Sequence, residues 1–220
     1  MITLALDAAT YRGTVAVLDD GRVIVERSAP MRDRDAEQLM PAVDLALRDA
    51  GVDVRSLQRI ICGAGPGSFT SLRIAASLAK GLAVGRDVPL FAVSSLALIV
   101  AANVRDGPRG PRRYLAALDA LRGESFVAEF EHNVGAVRAV SDMRRVPSDE
   151  IAAIADERRA RAVGPDQREG WLPHARGVTL LMAEIDRAGP VDLAAWEPVY
   201  GRMAEAQAKW EAQHGRALPR

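Results

Sequence analysis

Gly63, Gly65, Pro66 and Gly67 fall within five positions, and Ser68 and Thr70 follow directly. Glycine admits positive φ and lets a backbone pass close to another group, and proline fixes one φ between them. Ser68 and Thr70 are of the type that caps a helix. A glycine loop that runs into a helix turns backbone N–H groups toward the positive end of the helix dipole, so this stretch could seat an anion. Its spacing is neither G-x-G-x-x-G nor a P-loop, since no Lys-Ser/Thr pair follows. Loops of this kind also join strand to helix and bind nothing, and the glycines alone leave both readings open.

Other chemistry finds little support. His132, His174 and His214 are far apart and none pairs at i, i+4, so no helical metal site is expected. Cys62 is the single cysteine and stands in an apolar run, which makes it a small hydrophobe with no disulfide or zinc framework around it. No G-x-S-x-G elbow exists, and nothing nominates a base for Ser68, so Ser68 reads as a cap and not a nucleophile.

The elements that must position the glycine loop follow from periodicity. Ile60, Ile61 and Cys62 read as a buried strand before it, and Leu72 to Val84 reads as a helix after it, with Arg73, Ser77 and Lys80 its only polar side chains. A helix apolar nearly all round is buried on more than one side, by its own chain or by a partner. Ahead of this unit, Ile2 to Asp7, Gly13 to Leu18 and Arg22 to Ser28 form a β-meander. Asp35 to Ala50 is helical, with Ala36, Leu39, Met40, Val43, Ala46, Leu47 and Ala50 on one stripe. Asp35 and Gln38 have capping-box spacing, Pro41 should kink that helix, and Gly51 should end it. Pro89 to Val93 is a strand, and Ser94 and Ser95 can cap a helix to Asn103.

Residues 103–113, NVRDGPRGPRR, read as a linker whose Arg105, Arg109, Arg112 and Arg113 are either solvated or contact a phosphate backbone. Strands are then expected over Tyr114 to Asp119, Ser125 to Glu131 and Val134 to Val140, which repeat the opening meander. A helix over Asp149 to Ala155, a strand over Arg161 to Val163 and helices over Val178 to Ala188 and Met203 to Trp210 complete the chain.

Composition sets the class. Among 220 residues, 29 Lys and Arg balance 29 Asp and Glu, which disfavours autonomous tight binding to RNA. At 49% hydrophobic and 26% charged, the chain is an ordinary globular one, of a size that buries an adequate core. The N-terminus lacks a basic region and Asp7 interrupts its apolar run, so no secretory leader is expected. The longest apolar segment, Leu90 to Ala102, is too short for a bilayer. The expected location is the cytoplasm.

The string GPGSFTSLRIA, residues 65–75, closely resembles the GPGSFTGLRIG signature of the bacterial TsaB (YeaZ) family, with Ser71 and Ala75 in place of Gly. DAEQLMPAVDLALRDAG at 35–51 resembles the family's HSERLLPxIDxLLxxAG, with Asp35 for the usual His. PLFAVSSL, DALRGESF and EPVYGR resemble further family stretches. The resemblance implies an α/β, actin-like (ASKHA) fold of two ribonuclease-H-like lobes, the second reduced. Residues 1–104 would form the first lobe and 105–220 a smaller, degenerate one.

What the resemblance implies for function is a non-catalytic subunit. It would bind and activate the paralogous TsaD, which transfers a threonylcarbamoyl group to adenosine 37 of tRNAs decoding ANN codons. TsaC would make the threonylcarbamoyl-AMP donor, the ATPase TsaE would join the pair, and tRNA would be met through the complex. Whether the chain forms a homodimer when TsaD is absent is left open by the sequence, and no membrane contact is expected. The TsaD interface would include Glu37, Leu39, Met40, Val43, Leu47, Leu72, Ala75, Ala76, Leu78, Ala79 and Leu82. A vestigial phosphate loop would comprise Asp7, Thr10, Gly65, Pro66, Gly67, Ser68, Thr70, Arg73 and Asp119. Asp7 opens the segment DAAT and either lies near a nucleotide's phosphates and metal, as in that superfamily, or merely caps its turn. No cofactor or metal would be required by this chain; ATP or ADP and metal would belong to the partner subunits. The rival reading is a self-sufficient ATP-binding kinase or ATPase of the same superfamily.

Overall fold

The computed structural model describes residues 1–31, 38–104 and 112–200. Alternating apolar residues form β1 (Ile2–Asp7), β2 (Arg12–Asp19) and β3 (Arg22–Pro30), each antiparallel to the last. α1 (Leu39–Asp49) follows, then β4 (Arg59–Gly63), α2 (Phe69–Arg86), β5 (Leu90–Val93) and α3 (Ser95–Asn103). β4 lies parallel to β1 and β5 parallel to β4, so the first sheet has the order β3-β2-β1-β4-β5.

The second half starts the same way. β6 (Arg112–Asp119), β7 (Glu124–Asn133) and β8 (Ala136–Ala139) make an antiparallel meander, and β10 (Arg161–Val163) lies parallel to β6 as β4 lies parallel to β1. β9 (Arg144–Pro147) pairs with β7, and α4 (Ile151–Glu157) covers the outer face. The second sheet has no described counterpart of β5, and residues 175–180 form a 3-10 turn leading into α5 (Met182–Ala188). This is the actin-like arrangement of two ribonuclease-H-like lobes, with the second reduced.

The two faces of the first sheet have different jobs. Leu4, Leu6, Ile60 and Cys62 point to the face covered by α1 and α2. Ala5, Ala16, Leu18 and Ile61 point the other way, into a core shared with α3, β6, β7 and the 3-10 turn. The boundary expected between residues 104 and 105 separates the sheets but not two packing units. α3 is built of residues from before it yet packs on the second sheet, and residues 175–200 return to the first. Thr14 Oγ1 accepts from Ala175 N at 3.0 Å, and Arg176 Nε donates to Ala102 O at 3.0 Å. Buried Arg59 lies 4.0 Å from the centre of the Phe91 ring and pairs with Asp186 of α5.

Several local expectations change. α1 begins at Leu39, so Pro41 sits in its first turn, where no intrahelical N–H is needed, and it starts the helix instead of kinking it. Asp35, half of the expected capping box, and Glu37 lie outside the described residues, as do Arg105, Arg109 and the helix expected over Met203 to Trp210. Arg112 and Arg113 belong to β6 and not to a linker. β9 was not foreseen. Among the described residues, no helix is long and apolar enough to cross a membrane.

Candidate functional site

The glycine loop lies where β4 ends beside β1, directly over the turn that follows Asp7. Asp7 is fully buried. Its Oδ1 accepts from Ala9 N at 3.0 Å, and its Oδ2 accepts from Ser95 Oγ at 2.5 Å. A Cβ on Gly63 would stand 2.0 Å from Asp7 Oδ2, so glycine is needed there to admit the carboxylate. Burial pushes the Asp7 carboxyl above the ordinary carboxylate range, with the Ser95 and Ala9 hydrogen bonds acting the other way. Burial, and then Asp7 itself, raises the Cys62 thiol, so Cys62 is an inert core residue.

The loop's own N–H groups are turned inward. Gly65 N donates to Ser95 Oγ at 3.1 Å and Ser68 N donates to Ala9 O at 2.8 Å. A Cβ on Gly67 would meet Ala9 O at 2.2 Å. The loop therefore clamps the Asp7 turn. These two amides, which an anion would have used, are already satisfied, and Asp7 is sealed from solvent. Thr10 is nearly buried and its Oγ1 accepts weakly from Arg12 N at 3.3 Å, closing the same turn. Of the two readings the sequence left open for Asp7, the bonds to Ala9 N and Ser95 Oγ fit the carboxylate that caps its own turn.

The outer mouth of the loop is covered by the chain's C-terminal segment. Val199 N donates to Ala64 O at 2.7 Å, and a Cβ on Gly65 (φ +83°) would stand 2.6 Å from Val199 O. Tyr200 packs on Phe69 with ring centres 4.6 Å apart. Of the other loop residues, Pro66 is buried and Ser68 is the N-cap of α2, without a side-chain capping bond. Thr70 and Arg73 face out along α2, and Arg73 lies 5.4 Å from the Phe69 ring centre.

Asp119 is not part of this cluster. It stands exposed at the end of β6, where its Oδ1 accepts from Leu121 N at 2.7 Å. Leu121 (φ +62°) and Arg122 (φ +54°) hold left-handed conformations that suit neither residue, and Leu121 is 60% exposed.

The expected interface residues divide in two. Leu39, Val43, Leu47, Ala75 and Ala79 are buried in the core between α1, α2 and the first sheet, Leu72 is buried in the core shared with α3, and Ala76 is also buried. The physical reason is that α1 and α2 cover this sheet face themselves. Ser71 and Ala75, the two departures from the family signature, also face this core, and Ser71 Oγ donates to Ser68 Oγ at 3.1 Å. They alter packing within the lobe. Leu78 and Leu82 are half-buried, while Met40 is 43% exposed.

The outward surface is different from the expected one. On α2 it carries Ser77, Gly81 and Gly85, and on α1 it carries Met40 and Leu45. Among the described residues no atom lies within 4 Å of where a Cβ on Gly81 or Gly85 would stand. Sequence reasoning missed the role of Ser95, the cover supplied by Val199 and Tyr200, and the Gly81–Gly85 spacing. Only the first left a signal: a carboxylate ending an apolar strand needs a buried donor.

Residues 31–156 match a family model described as TsaD, tRNA N6-adenosine threonylcarbamoyltransferase. The chain is 30% identical, over 96% of its length and 98% of the relative's, to the tRNA threonylcarbamoyladenosine biosynthesis protein TsaB of Bacillus subtilis. It is 35% identical to the Escherichia coli protein of the same name over 60% of this chain and 56% of that one. The solved structure of YeaZ from Pseudomonas aeruginosa superposes with a TM-score of 0.74 at 29% identity, covering 90% of this chain and 99% of that one.

Proposed function

This chain belongs to the TsaB (YeaZ) family, and from that premise we propose that it serves threonylcarbamoyladenosine synthesis in tRNA as a non-catalytic subunit. It binds the catalytic paralogue TsaD and holds it in a competent state. TsaE joins the pair, and ATP or ADP and metal are held by the partner subunits. The observation that carries this reading is the closed first-lobe loop: Asp7, Gly65 and Ser68 are all engaged by the chain's own groups. A kinase of this fold would need those groups free to meet phosphate.

The outward face of α1 and α2 supports a partner. Glycine inside a helix costs about 1 kcal/mol relative to alanine. Gly81 and Gly85 are not required by any described neighbour within the chain. Small residues at 77, 81 and 85 recur every fourth position, the spacing of one helix ridge, and let a second helix approach closely. Met40 and Leu45 are exposed apolar side chains of α1.

The test is reconstitution with TsaD, tRNA and threonylcarbamoyl-AMP, read by mass spectrometry of the modified nucleoside. TsaD should modify tRNA efficiently only when this chain is present, and this chain alone should give no product. Modification by this chain alone, or by TsaD equally well without it, would overturn the reading. Tight ATP binding by the isolated chain would favour the kinase alternative.

A further inference from the structure

In its 18 residues α2 carries three cations, Arg73, Lys80 and Arg86, and no Asp or Glu. Arg73 and Lys80 are two turns apart, so they share one face about 10 Å apart along the axis. Among the described residues neither makes an ion pair. Each lies against a ring instead. The Arg73 guanidinium is 5.4 Å from the Phe69 ring centre, and the Lys80 ammonium is 5.7 Å from that of Trp196. Glu197 and Arg73 both act on the Tyr200 hydroxyl, in opposite senses, yet they form no ion pair with each other. The rings steady the two side chains without neutralising them.

Arg73 is the one charged wall of an open groove of about 570 Å³ whose other walls are Phe69, Thr70, Ile74, Ser77 and Leu78. Lys80 stands next to Gly81, on the small-residue ridge that no described neighbour covers. One helix laid along α2 would meet the groove, the ridge and both cations. Helices packed over small residues bring their axes to about 8 Å. At that distance carboxylates on the second helix reach both cations, whereas a neutral or basic helix would strip their water and return nothing.

Other occupants fit less well. RNA would find few cations here, and the Phe69 ring already meets Tyr200 and Arg73, which leaves no free platform for a base. A second copy of this chain would set α2 against α2 and cation against cation. The acids of the adjacent α1, Asp44 and Asp49, are already paired with Arg48 and Arg27.

We propose that the partner helix seated on α2 is acidic, with two carboxylates about two turns apart that pair with Arg73 and Lys80, and small or apolar residues between them. This rests on the docking reading above and adds the chemistry of the partner's face. The two ion pairs set the register of the helices, and the groove and ridge set how closely they approach.

Calorimetric titration of TsaD with the full-length chain at about 50 mM and about 500 mM NaCl tests it. The wild-type complex should weaken at least tenfold at the higher salt. Arg73→Gln with Lys80→Gln should bind at least tenfold more weakly at low salt and lose most of the salt dependence. Arg73→Glu with Lys80→Glu should bind at least a hundredfold more weakly, and Arg73→Lys with Lys80→Arg should stay within threefold of wild type. Wild-type affinity that is constant or rises with salt would overturn the proposal without recourse to any variant, and so would an equal salt dependence in wild type and a folded glutamine pair. Either result leaves the docking reading standing. No wild-type complex at either salt would end the docking reading and this proposal with it. Loss of tRNA binding or of self-association in the glutamine pair, with TsaD affinity unchanged, would assign the two cations to RNA or to a second copy and overturn the proposal.

Discussion

Asp7 and Asp119 each end the first strand of a sheet, and each accepts from the amide two residues on, Ala9 at 3.0 Å and Leu121 at 2.7 Å. The local turn is the same device in both lobes, an aspartate bonding its own backbone. The surroundings differ. In the first lobe, β4, the glycine loop and α3 close over the turn, and Asp7 is sealed with Ser95 as its second partner. In the second, β10 is followed by Gly164, whose added Cβ would meet Ala117 O at 2.2 Å, but no described helix equivalent to α2 follows, and Asp119 stays in water. The repeat copied a turn, and what covers the turn decides whether its carboxylate is an anchor or a surface group.

The largest expected effect separates buried from outward residues within the first lobe. Leu72→Glu places a charge in a fully buried position and should cost about 3–5 kcal/mol, a large part of a typical domain's stability. Met40→Glu, on the exposed side of α1, should change stability by about 0.5 kcal/mol or less. Urea denaturation compares them directly, and similar losses would break the distinction.

The two turns come next. Asp7→Ala orphans the Ser95 hydroxyl and the Ala9 amide in the core and should cost about 2–5 kcal/mol. Asp119→Ala loses one exposed bond and should cost about 1 kcal/mol or less. Because the native Asp7 carboxyl is raised above its unfolded value, the native state holds the extra proton in between. Stability from this group therefore falls as pH rises from about 4 through that window. Asp7→Asn should flatten this slope in melting experiments across pH; an unchanged slope would show that the carboxyl is ionised in the native state.

A smaller effect tests the seam between lobes. His174 Nδ1 accepts from Arg176 N at 3.1 Å, and burial, followed by the Arg176 charge, lowers its pKa although Glu26 opposes this. The unfolded chain takes up the proton first, so stability is full above about 6.5 and is lost as pH falls below it. His174→Gln should remove that acid-side loss, and a variant with the wild-type profile would contradict the assignment.

Much of this was legible in the sequence. β1, β2, β4, β6 and β10 announced themselves by alternation or short apolar runs, and Ser94 caps α3 as its position suggested, accepting from Ala97 N at 3.4 Å. The glycine cluster marked the right loop, because only a close backbone approach demands that composition. What it approaches was not legible: Asp7 Oδ2, Ala9 O and Val199 O come from distant segments, Val199 lying 134 positions beyond Gly65. The apolar circumference of α2 likewise could not say which side faces its own sheet. That depends on α1 and α2 sharing one face of the sheet and on residues 191–196 packing against the same core.

The most direct test is a calorimetric titration of TsaD with wild-type chain and with Gly81→Arg. Arginine is a good helix former and meets open space at this position, so the variant should melt no lower than wild type. The account predicts a saturable complex for wild type and at least a hundredfold weaker one for the variant. Equal affinities from two equally folded chains would contradict it.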